Sequence, residues 1–237
     1  MNVNVAGISE CGNFRSKNQD RLFYARRNCE TSDFAIACVC DGIGSLKNSE
    51  IASEMMVKGI ADWFENIWRF YPSVMDKQAM LDDLEYTLQE LNEVVFEFEE
   101  DIGCTMSLLF LVDGEYYVFH VGDSRIYLVQ DRLFQLTQDE VLLKQVNGVT
   151  KSYLMNSVGQ NMRLSITKRR GFVNVGDTFI LGSDGLYKRL QYEDVYDLQT
   201  RLWDERELEQ RSRYLTEQMY DRGEKDNATC LILQVAG

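Results

Sequence analysis

The sequence predicts an α+β domain of antiparallel sheets with helices packed outside them. Strands come in hairpin-like groups, and helices come in pairs instead of alternating with strands. Three hydrophobic strands also run straight into an aspartate: Phe34 to Asp41-Gly42, Val118 to Gly122-Asp123 and Thr178 to Asp184-Gly185. A fourth aspartate, Asp226, precedes a strand running the other way, Asn227 to Val235. A carboxylate at a strand tip sits at a defined height on a rigid element and still meets solvent, so several can converge on one hard cation.

The opening third reads as strands at about 2–9, 20–26 and 33–40, rich in β-branched, aromatic and small apolar residues. A helix is expected at about 48–69, where Ile51, Met55, Ile60, Trp63, Phe64 and Ile67 form an apolar stripe and Pro72 lies beyond its end. A second is expected at about 77–99, with Leu81, Leu84, Leu88, Leu91, Val95 and Phe98 stepping by three and four and Asp76 as its N-cap. Fewer than four heptads make it a helix lying on a sheet, not a coiled coil. Strands return at about 104–112, 115–121, 124–130 and 132–136, the first two joined by the hairpin signal Asp113-Gly114. A short helix is expected near 138–146, then a polar connection and strands near 162–170 and 177–182. Helices near 191–199 and 204–222, the latter stopped by Gly223, lead to a last strand at about 227–236.

With 237 residues, one proline and no glycine- or serine-rich linker, the chain is expected to be a single domain over 1–237. No apolar run approaches the roughly 20 residues needed to span a bilayer. The first residues lack the basic and apolar regions of a secretory signal, so a cytoplasmic location is expected. Six cysteines without C-x-x-C spacing argue against a thiolate zinc site and a disulfide framework; Cys38, Cys40 and Cys230 read as small core residues. Asn227-Ala-Thr229 matches a glycosylation sequon, taken as chance in such a chain. The net charge of −13, from 38 acidic and 25 basic residues, disfavours nucleic acid and anionic membrane as partners. It also means that a site for an anionic substrate must bring its own positive charge.

A single Asp-Gly usually marks only a turn. Asp41, Asp123, Asp184 and Asp226 together, all at strand boundaries, offer oxygen ligands of the kind that select Mg²⁺ or Mn²⁺. Gly42 lets its carbonyl approach an ion closely. Two such ions can lower the pKa of a shared water and align it on phosphorus, while neutralising the carboxylates. A guanidinium is then wanted for the non-bridging phosphate oxygens; Arg15, in a polar turn before a strand, is the candidate, against the reading of a solvated surface arginine. The one histidine, His120, reads as packed on a sheet face in preference to a catalytic acid.

In this order the motifs resemble those of the metal-dependent protein phosphatases, the PPM or type 2C family. Arg15-Ser-Lys-Asn-Gln-Asp20 resembles R-x-x-N-E-D, and Asp41-Gly42-Ile-Gly44 with Ala52-Ser53 resembles D-G-x-G-G…A-S. Gly103-Cys-Thr105 is similar to G-T-T, Gly122-Asp-Ser-Arg125 to G-D-S-R, and Leu136-Thr137-x-Asp139 to L-T-x-D-H. Gly176-Asp177, Ser183-Asp184-Gly185-Leu186 and Asp226-Asn227-Ala-Thr229 complete a series that spans nearly the whole chain. The resemblance implies a four-layer αββα sandwich of two antiparallel sheets flanked by pairs of helices. It implies Asp41, Asp184, Asp226 and the Gly42 carbonyl as ligands of two Mg²⁺ or Mn²⁺ ions. Asp123 would serve a third, weaker site shared with Asp184, Asp20 would act behind the ligands, and Arg15 would hold the phosphate. The reaction implied is hydrolysis of phosphoserine and phosphothreonine in proteins, the substrates of a serine/threonine kinase, without a covalent enzyme intermediate.

Three departures qualify this. Gln19 stands where the family has glutamate, Ser45 replaces a glycine, and Glu140 replaces the histidine of L-T-x-D-H. The flap-like segment, about 139–158, looks short. The competing reading is a weakly active or pseudophosphatase module that binds metal or a protein partner. A two-metal nuclease is disfavoured by the charge, and haloacid-dehalogenase chemistry by the lack of a strand ending in D-x-D.

Overall fold

The computed structural model describes residues 2–28, 33–67, 77–146 and 148–237. Two five-stranded antiparallel sheets lie face to face. One is built from β1 (Val3–Glu10), β12 (Ala228–Val235), β11 (Thr178–Gly182), β6 (Arg125–Val129) and β7 (Leu133–Gln135), in that spatial order. The other runs β10 (Thr167–Phe172), β5 (Glu115–Val121), β4 (Met106–Val112), β3 (Asp33–Cys40) and β2 (Arg21–Asn28).

Side-chain alternation sorts the strand residues into three apolar layers. From β3, Ala35, Ala37 and Val39 face the other sheet, where they meet Phe179, Leu181, Leu231 and Leu233. The alternate residues Phe34, Ile36, Cys38 and Cys40 face outward onto helices α1 (Ser49–Asn66) and α2 (Lys77–Phe96), against Met56, Ile60, Phe64, Leu84 and Leu88. On the far side, Ile180 and Ile232 pack on Leu208, Leu215 and Met219 of helix α4 (Glu205–Asp221). This is the four-layer αββα sandwich. Its second helical layer consists of α4, the one-turn helix α3 (Asp184–Tyr187) and two 3₁₀ turns at Tyr192–Asp194 and Tyr196–Gln199, where a full helix was expected near 191–199.

The N-terminus of α4 carries a capping box, with Asp204 accepting from the Glu207 N–H at 2.8 Å and Glu207 accepting in return from the Asp204 N–H. The N-cap expected of α2, Asp76, and Cys29, Trp68 and Pro72 lie outside the described residues. Phe98, expected on the stripe of α2, falls beyond the helix and is half exposed, whereas Met80 and Asn92 are buried. Asn92 is polar for a reason: its amide bonds the carbonyls of Asn161 and Met162 and the N–H of Gly159, pinning that loop to the helix.

The largest departure from expectation lies at 138–146. The segment is not helical but a strand, β8 (Val141–Val146), paired in a two-stranded hairpin with β9 (Val149–Leu154). Asn147-Gly148 is the signal that outweighs helical propensity here; Gly148 takes φ 77°, which glycine adopts without strain. The strand expected near 162–170 begins later, at Thr167. No described helix is long and apolar enough to cross a membrane. The five described cysteines are free thiols.

Candidate metal centre

Antiparallel pairing brings the acidic strand ends to one edge of the sandwich. Cys40, at the end of β3, pairs with Arg21, the first residue of β2, so Asp41 and Asp20 emerge together. Met106 pairs with Val121, which places the Gly122-Asp123 turn beside Thr105. In the facing sheet Gly182 pairs with Cys230, so Asp184 and Asp226 leave β11 and enter β12 at the same end.

A cavity of about 1180 Å³ opens at this edge, lined by Arg15, Asp41, Gly42, Asp123, Asp184 and Asp226 among others. The hairpin borders it through Val141, Leu143 and Leu154. Asp41 is anchored at its backbone: its N–H donates to the Thr105 hydroxyl at 3.0 Å, and its carbonyl accepts from the Thr105 N–H at 2.8 Å. The same hydroxyl lies 2.6 Å from the Ser124 hydroxyl, so the two aspartate-bearing turns share a support. A Cβ on Gly42 would lie 2.8 Å from the Cβ of Gln19, so only glycine fits there.

Behind the cavity, Asp20 is 1 % exposed. One oxygen accepts from the Ser183 and Thr229 hydroxyls, both at 2.7 Å; the other is buried with no hydrogen-bond partner. Burial pushes this carboxyl up to about 6, against the pull of those two hydroxyls. Burial also drives Asp41 well above the usual carboxylate range, and the charges of Asp20, Asp184 and Asp123 push it further. Asp123 is pushed up to about 6 by burial and then by Asp184. Asp184 is raised by burial, although Lys188 counters at 2.5 Å.

Arg15, Arg125, Lys151 and Lys188 bring positive charge to the cavity lining, and two of them pair with the acidic strand ends. Arg15 grips Asp226 bidentately, Nε to Oδ1 at 2.8 Å and Nη2 to Oδ2 at 2.6 Å, and remains 44 % exposed at the cavity mouth. Lys188 was not anticipated, although its spacing of four from Asp184 at the start of a helix was a readable signal. Asp41, Asp184 and Asp226 line one cavity, with Asp226 turned to Arg15 and Asp184 to Lys188. Among the described residues no three acidic, cysteine or histidine side chains form a ready-made ligand cluster. Asp226 and Asp184 each take a cation within reach, as opposite charges this close attract.

Gln19 sits close by; its N–H donates to Asn227 Oδ1 at 3.0 Å and its amide reaches Glu50, which Lys17 holds at 2.7 Å. Asn227 is buried and donates to the carbonyls of Cys11 and Lys17, so the sequon side chain is structural. His120 is fully buried between the Ser107 hydroxyl, 2.9 Å from Nδ1, and the Gln138 carbonyl, 3.1 Å from Nε2, and its desolvation lowers its pKa. It is a packed histidine.

Known proteins share this architecture. The chain is 26% identical over 218 residues to the serine/threonine phosphatase stp of Listeria monocytogenes, covering 84% of each. It is 26% identical over 254 residues to a putative protein phosphatase of Mycoplasma genitalium, covering 97% of this chain and 94% of that one. Among solved structures, the S. agalactiae serine/threonine phosphatase superposes with a TM-score of 0.78 at 22% identity, over 99% of this chain and all of that one. The catalytic domain of the serine/threonine protein phosphatase PstP, solved with two manganese ions, superposes with a TM-score of 0.74 at 21% identity over 99% of both chains. The sequence model of the family described as Protein phosphatase 2C matches residues 14–220, and the chain belongs to that family.

Proposed function

We propose that this chain is a protein serine/threonine phosphatase that hydrolyses phosphoserine and phosphothreonine with two Mg²⁺ or Mn²⁺ ions. The observation that carries the reading is the meeting of Asp41, Asp123, Asp184, Asp226 and Arg15 around one cavity at the sheet edge. Named relatives that cover most of the chain, serine/threonine phosphatases of Listeria, support it.

The donor set fits hard divalent cations. The four strand-tip carboxylates and the Gly42 carbonyl are all oxygen donors, and Arg15 and Lys188 pair with two of the carboxylates. The unpartnered buried oxygen of Asp20 marks the same need for positive charge or a donor. Asp41, Asp184, Asp226 and the Gly42 carbonyl would hold the two ions, and Asp123 with Asp184 a third, weaker one. When bound, such ions supply Lewis acidity, lowering the pKa of a water and drawing charge from the phosphoryl oxygens.

This chain's own residues do the remaining work. The Nε and Nη2 donors of the Arg15 fork are held here by the two oxygens of Asp226, and the same planar fork would match two phosphate oxygens once Asp226 turned to an ion. Asp20 orients Ser183 and Thr229 beneath Asp184. Lys188 holds Asp184 in place through a short ion pair. His120 takes no part in proton transfer, because both ring nitrogens are engaged in the core. The substrates we assign are phosphoproteins made by a serine/threonine kinase, in a cytoplasmic setting.

Gln19 favours the alternative of a module that binds metal or a partner with weak turnover, since an amide brings no charge to the site. The two readings separate on Mn²⁺-dependent phosphate release from a phosphothreonine peptide, with Asp184→Asn as control. Equal rates for the two proteins would reject the enzyme.

A further inference from the structure

The Glu140 side chain accepts three hydrogen bonds outside the acidic site, and nothing in the reaction chemistry explains them. Its carboxylate oxygen Oε2 accepts from the Gly122 N–H at 2.9 Å and from the Asn156 amide at 2.8 Å. Oε1 accepts from the Thr167 hydroxyl at 2.8 Å. Its own N–H donates to the Gly122 carbonyl at 2.8 Å, and its carbonyl accepts from the Met155 N–H at 2.8 Å.

These bonds join three elements. Gly122 takes φ 98° and directly precedes Asp123; Glu140 holds both of its main-chain groups. Met155 and Asn156 follow the second strand of the hairpin, and Glu140 precedes the first, so both legs meet at this residue. Thr167 opens β10. On the other side of the turn, a Cβ on Gly122 would lie 2.8 Å from Thr105, whose hydroxyl supports Asp41. A displacement of the hairpin base therefore has a direct route of packed and hydrogen-bonded atoms to the Asp123 turn.

We propose that Glu140 is a positioning residue that locks the base of the 141–154 hairpin to the Gly122–Asp123 turn, so that the cavity wall and Asp123 are placed together. Its kinetic consequence rests on the phosphatase reading; its structural content does not. Three donors meet the two oxygens, and one of the three is a hydroxyl that can turn round and accept. Glu140→Gln can therefore keep the bonds to Gly122 and Asn156 and donate to Thr167, whereas Glu140→Ala loses all the side-chain bonds.

Amide hydrogen exchange and kinetics on two substrates test this. Glu140→Ala should exchange about tenfold faster than wild type in both the hairpin strands and residues 122–124, because both lose their shared anchor. Its kcat/KM should fall about tenfold or more on a phosphothreonine peptide and on para-nitrophenyl phosphate. Asn156→Ala, which spares the Gly122 bonds, should speed exchange in the hairpin alone and lower kcat/KM on the peptide alone. Glu140→Gln should stay within about threefold of wild type throughout. Wild-type exchange in either segment of Glu140→Ala overturns the proposal, as does an unchanged kcat/KM on the peptide. If Glu140→Ala does not fold, Asn156→Ala decides: wild-type exchange in its hairpin overturns the proposal, and faster exchange there with a neutral Glu140→Gln upholds it. A wild-type protein that releases no phosphate would sink the phosphatase reading while leaving the exchange result to judge the anchor.

Discussion

The two walls of the cavity are built on opposite principles. In β4, β11 and β12, whose ends lead to the acidic floor, every residue is buried, and in β3 all but Asp33 are. In the hairpin wall no residue is buried, and Leu143 and Val149 are among the exposed large hydrophobics. The floor is positioned by packing on both faces, which leaves a strand-tip carboxylate little freedom and lets burial and mutual repulsion raise its pKa. The wall is positioned at its base by hydrogen bonds. A site that needs ions held to a fraction of an ångström belongs on the first kind of element, and selection among extended substrates suits the second.

The sharpest way to break that contrast is Asp41→Asn. Activity should fall to background, while the metal-free protein should melt at a higher temperature than wild type, because a buried carboxylate crowded by Asp20, Asp184 and Asp123 is replaced by a neutral amide. Retained phosphate release, or a lower melting temperature, would contradict the account of the floor. Next comes packing beneath the site. Phe179→Ala, in the layer between the sheets, should cost about 3–5 kcal/mol in denaturant unfolding.

The pH response is the third test. Asp20 and Asp123 are pushed from an ordinary 3.8 up to about 6 in the folded protein. Their contribution to stability is therefore fully present below about pH 4 and is lost as pH rises through about 6. A bound cation reverses the loss, and protons compete with it. At pH 7.5, Mn²⁺ at about a hundred times its dissociation constant should add about 2.7 kcal/mol, and the same addition at pH 5 should give much less. An equal rise in melting temperature at the two pH values would show that these carboxylates do not meet the ion. The smallest effect is expected on the wall: Leu143→Ala should change stability by no more than about 0.5 kcal/mol, yet raise the KM for a phosphopeptide measurably. A stability loss as large as that of Phe179→Ala would erase the distinction between the walls.

Much of this was readable in advance from residue patterns of a local kind. Strand tips ending in Asp41, Asp123 and Asp184, the stripes of α1 and α2 and the Asp113-Gly114 hairpin all follow from period and turn chemistry within a few residues. The segment 138–146 was misread because Val141-Leu-Leu-Lys suits either period, and Asn147-Gly148 was the arbiter. Asn92 was missed because a polar residue inside an apolar stripe gives no hint of the distant carbonyls it will bond.

From the chain alone came the antiparallel α+β class, the family resemblance with the sandwich it implies, and the acidic strand tips proposed as ligands, because hydrophobic period and short motifs are written in neighbouring residues. The partners of those carboxylates came only with the folded chain. That Arg15 would hold Asp226, 211 positions away, that Ser183 and Thr229 would both serve Asp20, and that Glu140 would clasp Gly122 depend on which strand ends antiparallel pairing sets side by side. Such contacts join groups that share no local pattern, so they exist only once the sheets have stacked.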